Sequence, residues 1–212
     1  MATLTQLYAR IILDTNRDDM GSGGELEQAK IDAVADAIAG HAGELFWFNR
    51  ASGSVTTMAG TATIALPAGM RIARVVTCSG AALRKVPLEA IEGMTNAAAP
   101  AAGPPSLWAE EAGAIRLWPT PDAPYALTLY GIAELGVPAA SNAWTVEGFR
   151  LILAEAKRIL FRGALRDPDG LALASDEARE ALAALRRETS RRGAAPPATE
   201  LPAPAAFNIV GG

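Results

Sequence analysis

Apolar positions recur at three- and four-residue steps near both ends of this chain and at two-residue steps in its middle. Leu4, Leu7, Ile11 and Ile12 make one stripe and predict a helix over residues 4–14. Three glycines in Met20-Gly21-Ser22-Gly23-Gly24 predict a loop, because glycine is costly inside a helix. Leu26 opens a second helical pattern, and Ile31, Val34, Ile38, Ala42 and Leu45 carry it over residues 25–48. Glu25, Glu27, Asp32 and Asp36 lie toward its N-terminal half, where the helix dipole favours acid. Gly40 and Gly43 weaken it, and Phe46, Trp47 and Phe48 close it with a large apolar surface.

From about residue 50 the period is two. Residues 61–66 alternate until Pro67 stops them, and residues 71–78 follow Gly69. Residues 83–87, Trp108, residues 115–118 and residues 125–132 supply further short segments, making six predicted strands. A helical turn or two is predicted at 88–94, and the alanine-, proline- and glycine-rich run 96–105 reads as a loop. Short strands spaced in this way suggest a small antiparallel sandwich or barrel-like sheet.

Helical spacing then returns. Asn142 or Thr145 reads as a cap, and Phe149, Ile152, Leu153, Ala156, Ile159 and Leu160 form an apolar face up to Leu165. Residues 166–170, Arg-Asp-Pro-Asp-Gly, predict a break. Ser175, Glu177 and Glu180 open a last helix that carries Ala178, Ala181, Leu182 and Leu185 and ends in Arg186, Arg187, Arg191 and Arg192. Beyond Gly193, residues 194–206 hold Pro196, Pro197, Pro202 and Pro204, so an extended arm is expected, with strand-forming Phe207, Ile209 and Val210 at its tip. An apolar tip on an extended arm suits docking, and adding a strand to a partner's sheet is one mode. The fold class is therefore α+β. A four-helix body comes from residues 1–49 and 141–193, a small antiparallel β-sandwich or barrel-like subdomain is inserted over 50–140, and an arm spans 194–212.

With 212 residues, half of them hydrophobic, the chain can bury one good core or a core with an inserted subdomain. Its net charge of −4 gives no support to general nucleic-acid binding. The single cysteine, Cys78, excludes an internal disulfide and a cysteine-based zinc site. No apolar run approaches the ~18 residues of a membrane span. The start, Met1-Ala2-Thr3-Leu4, lacks a charged region followed by an apolar run, so no signal peptide is expected and the chain reads as a soluble product of the cytosol.

Groups able to trade protons or attack are sparse. His41, the only histidine, sits among alanines and glycine and reads as a helix-surface or interface residue. Cys78 lies in a strand-like run and reads as a small buried hydrophobe. Asp18-Asp19 and Glu110-Glu111 are adjacent pairs whose side chains point apart. Asp167 and Asp169 flank Pro168 and fit a turn better than a metal loop. The loop at 20–24 lacks the strand and the Lys-Ser/Thr of a phosphate loop. The arginines at 186, 187, 191 and 192 suit nucleic acid, acids of a neighbouring subunit or a helix C-terminus, and nearby Glu180 and Glu188 favour the latter two. Trp108 and Trp118 read as core or interface residues, since no basic residues interleave densely with them.

Four segments carry a resemblance: residues 61–69 (Thr-Ala-Thr-Ile-Ala-Leu-Pro-Ala-Gly), Gly103-Pro104-Pro105 with Trp108, residues 117–122 (Leu-Trp-Pro-Thr-Pro-Asp), and residues 125–130. With helices bracketing them, over about residues 4–190, the chain resembles the head-to-tail adaptors of tailed phages, also called connector or head-completion proteins. The resemblance implies a structural virion protein of the neck, made in the host cytoplasm, that is not an enzyme. It implies a ring of twelve copies beneath the portal ring, with a tail or nozzle protein attached. A channel would pass DNA without sequence-specific binding, and no cofactor, metal or membrane is called for. In such a ring, copies side by side would bury alanine-rich helices and the Phe46, Trp47 and Phe48 cluster. Phe207, Asn208, Ile209 and Val210 of the arm, with Arg186, Arg187, Arg191 and Arg192, are the expected contacts to the portal or the adjacent subunit. The rival readings are a tail-neck protein with cell-wall hydrolase activity and a carbohydrate- or receptor-binding β module on a helical stalk.

Overall fold

A computed structural model describes residues 3–21, 23–97 and 101–193, and these form an α+β fold. Helix α1 (Leu4–Thr15) starts at a capping box, in which the Gln6 amide donates to the Thr3 hydroxyl at 3.2 Å and the Thr3 amide to the Gln6 carboxamide oxygen at 3.0 Å. After a 3-10 turn at Asp18–Gly21 comes α2 (Glu25–His41), and a second 3-10 turn at Trp47–Asn49 leads into the strands. These are β1 (Arg50–Thr56), β2 (Thr63–Ala65), β3 (Met70–Cys78), β4 (Ala81–Ala82), β5 (Arg84–Lys85), β6 (Leu107–Glu111), β7 (Ala114–Trp118) and β8 (Ala126–Ala133). Helix α3 (Leu88–Ala97) lies between β5 and β6, and α4 (Ala143–Val146), α5 (Phe149–Arg162) and α6 (Pro168–Gly193) follow the strands.

The strands form two sheets, ordered β1-β8-β3-β4 and β2-β7-β6-β5. Their facing sides share a core built around Val76, Trp108, Ile115, Leu117, Leu127 and Leu129. At the centre of the first sheet β3 carries register shifts opposite β8, and a side chain at Gly131 would land on the Ile72 carbonyl, so only glycine fits there. The helical core unites both ends of the described chain: Leu7 and Ile11 from α1, Val34 and Ile38 from α2, and Leu151 and Ile152 from α5.

Several elements differ from the expected ones, each for a physical reason. The helix expected over 25–48 stops at His41, where Gly40 weakens it. The exit is held instead by the buried Asn49 side chain, which accepts from the Phe46 amide at 2.8 Å and donates to the Glu44 carbonyl at 2.7 Å. The aromatic cluster that neighbouring copies were expected to bury is used inside the chain. Phe46 is fully buried, and its ring lies 5.4 Å from Phe48 and 5.8 Å, edge-on, from Trp144.

Strands β1, β4 and β5 subdivide or extend the expected set. Residues 50–56 carry mostly small side chains and so show little alternation in sequence. The second sheet is mixed rather than antiparallel, because β5 and β6 pair parallel. Helix α3, longer than the expected turn or two, supplies the crossover that parallel pairing requires. The single helix expected from 142 to 165 is two. Asn142 and Thr145 do form a capping box, but Gly148 packs against Trp144 and separates α4 from α5. Finally, α6 begins at Pro168, not near Ser175. Asp167 accepts from the amides of Asp169 and Gly170, each at 3.1 Å, and proline at the first helical position loses no intrahelical hydrogen bond.

Candidate functional site

Helix α6 turns Ala174, Ala178, Ala181, Leu182 and Leu185 toward the helical body, which leaves its arginines on the outer side of the last turns. There Arg186 and Arg192 reach the 44–48 segment, while Arg191 turns back to Glu188. The Arg186 guanidinium donates to Glu44, and that of Arg192 lies 4.6 Å from the centre of the Trp47 ring. Arg191 and Arg192 both donate to Glu188, three and four residues earlier, at 2.6 Å. These hydrogen bonds, from Arg191 first and Arg192 next, hold the Glu188 carboxyl down at about 2, and raise Arg191 in return. The hydrogen bond to Glu44 raises Arg186. The exposed guanidinium of Arg187 has no ion-pair or hydrogen-bond partner among the described residues.

The spacing of Glu188 to Arg191 and Arg192 made that pairing legible in the sequence. Glu44 and Trp47 carried no such signal, since Arg186 and Glu44 lie 142 residues apart. Glu180, the other acid expected to engage the arginines, lines a groove instead. This groove, of about 560 Å³, has α5 as its floor and α1 and α6 as its walls. Leu151, Ala154 and Ala181 give it an apolar base. The Lys157 ammonium crosses it, 3.2 Å from Asp14 on α1 and 2.6 Å from Glu177 on α6. Its only sequence signal was a lysine between Ala156 and Leu160 in an otherwise apolar face.

The remaining candidates occupy structural positions. His41 joins α2 to α5, with Nδ1 3.8 Å from Glu44 and Nε2 3.6 Å from Glu155. Cys78 is a buried free thiol. Glu110 and Glu111 diverge to Lys85 and Arg116, and Asp19 pairs with Arg17. Trp108 is 1 % exposed beneath the Lys85 ammonium, which rules it out as an open sugar platform, whereas Trp118 is half-buried. Among the described residues no group of three or more His, Cys, Asp or Glu is placed to hold a metal ion, and no helix is long and apolar enough to cross a membrane. Phe207, Asn208, Ile209 and Val210, the other half of the expected contact set, lie outside the described residues.

The described surface thus offers a largely ion-paired α6 end with Arg187 left over, and a groove of charged walls on a small apolar base. No curated protein matches the chain. A family model described as "SU10 adaptor protein" matches residues 2–200, nearly the whole sequence. The chain belongs to the SU10 adaptor protein family, the phage head-to-tail adaptors that the motifs of its β segment resemble.

Proposed function

We propose that this chain forms the ring that joins the portal to the tail of a tailed phage, completing the head and leaving a channel for DNA. The observation that carries the reading is the family match over residues 2–200. Twelve copies side by side would meet through heterologous contacts that close on themselves. The α6 arginine end, with Arg187 unpaired among the described residues, is a contact surface toward the portal or the adjacent copy. The net charge of −4 suits a lumen through which DNA slides, since phosphate attraction needs a basic lining. In this role the chain is a structural part and not a catalyst, divided into the helical body of 1–49 and 141–193, the β subdomain of 50–140 and the arm of 194–212.

Mixing the purified protein with portal rings and imaging the product tests this directly. The expected result is a collar of added density at one end of each ring. A chain that stays solitary with both portal and tail components present would overturn the reading.

A further inference from the structure

One stripe of α6 is turned away from the helical body. At about 100° per residue, Asp176, Glu180, Ala183, Ala184, Arg187 and Arg191 fall within about 50° of a common direction, and each is exposed. Ala178 and Leu185, which pack into the body, lie on the opposite side. The sign of the charge changes halfway along the stripe, with two acids before the alanines and two arginines after them. Asp176 and Arg191 have partners on their own helix, Arg179 and Glu188. Glu180 and Arg187 have no ion-pair or hydrogen-bond partner among the described residues. Two helical turns separate them, about 10.5 Å along the axis, so they do not pair with each other.

Turned end for end, this stripe is its own complement. With Ala183 laid on Ala184 of an antiparallel second copy, Glu180 of each chain meets Arg187 of the other, and Asp176 of each meets Arg191 of the other. Alanine at the crossing leaves the two axes free to approach to about 8–10 Å. A phosphate backbone would run onto the two acids, and a wholly acidic or wholly basic partner would be repelled by one half of the stripe. A partner with the same change of sign, reversed, satisfies both halves.

We propose that this face of α6 docks antiparallel on the same face of a second copy, about a two-fold axis between Ala183 and Ala184, in chains not joined to a portal. The contact goes beyond the ring reading and does not rest on it. Two-fold pairing closes on itself, whereas a ring needs heterologous contacts, so a chain that uses Arg187 in the ring must first leave the dimer. Exposed ion pairs contribute little each, and a single helix pair covers less than the about 1,000 Å² of a stable interface. The dimer is therefore weak and reversible, and dilute chain is monomeric.

Sedimentation equilibrium of the full-length chain without portal, carried to high micromolar concentration, tests the contact. Wild type should show a monomer–dimer equilibrium that shifts to monomer as salt rises. Glu180→Arg and Arg187→Glu should each weaken it about tenfold or more, because like charges then face each other twice. An equimolar mixture of the two variants should dimerise again, one chain of each, and so should the chain carrying both substitutions. All these positions are exposed, so far-ultraviolet circular dichroism should stay that of wild type. The proposal is overturned by a wild type that stays monomeric at the highest concentration, by a dimer indifferent to the single substitutions, by failure of the mixture or the double variant to restore it, or by species larger than a dimer. Collar formation on portal rings is read separately, so any of these results removes this contact and leaves the adaptor reading standing.

Discussion

Single side chains tie the described surface together, and two of them make sharp predictions. Glu188 titrates near 2 in the folded chain because Arg191 and Arg192 donate to it, against an ordinary value of 4.5. Its contribution to stability is therefore complete above about 4.5 and lost as pH falls toward about 2. The melting temperature of wild type should exceed that of Glu188→Gln at neutral pH, and the gap should close across this window. A gap that persists unchanged at the acid end would show that the arginines do not hold Glu188 in solution. Asn49 has the opposite character, a neutral buried amide serving the Phe46 amide and the Glu44 carbonyl. Asn49→Ala orphans both groups and should cost about 1–3 kcal/mol for the buried donor alone, measured by urea unfolding. Asn49 gave no warning in the sequence, because its two bonds depend on the chain turning at 42–48 where an unbroken helix was expected. The pairing of Glu188 was readable because both partners lie within one helical turn.

Among the elements, those set by local chemistry were legible and those set by distant packing were not. Helix α1 followed from its stripe, and the start of α4 from Asn142 and Thr145. The parallel β5–β6 pair depends on where α3 returns the chain, which no local pattern records. The start of α6 shows how one motif supports two readings. Asp-Pro-Asp-Gly serves as a turn, yet the same proline after the same aspartate is a good first helical residue once Asp167 receives the free amides. Asp167→Ala should therefore destabilise the protein by about 1 kcal/mol and fray the first turn of α6, seen as faster amide exchange at 169–172. Protection that is unchanged there would place the helix start nearer Ser175 after all.

For the whole molecule, the motifs of the β segment identified the family, and the α+β class followed from the change of period along the chain. The pairing of Arg191 and Arg192 with Glu188 was readable within one helical turn, whereas the contacts of Arg186 with Glu44 and of Arg192 with Trp47, and the groove under Lys157, needed three-dimensional neighbours to appear. On the ring reading proposed above, the exposed arginine end should make assembly sensitive to salt. Collar formation on portal rings should weaken as ionic strength rises and be weakened further by Arg187→Glu, with melting of the free chain unaffected, as quantitative imaging would show.

The shared helical core has a consequence for how the protein is made. Asp14 on α1 finds Lys157 on α5 only across 143 residues of chain, and Leu7 and Phe46 pack with Trp144 and Leu151. On a ribosome adding about 5–20 residues per second, the first two helices must wait on the order of ten seconds for the partner that completes their burial. During that interval the strands between them are already available to pair. The β segment is thus positioned to fold first, with its own flanks still bare, and the nascent helices are the stretch most in need of a chaperone.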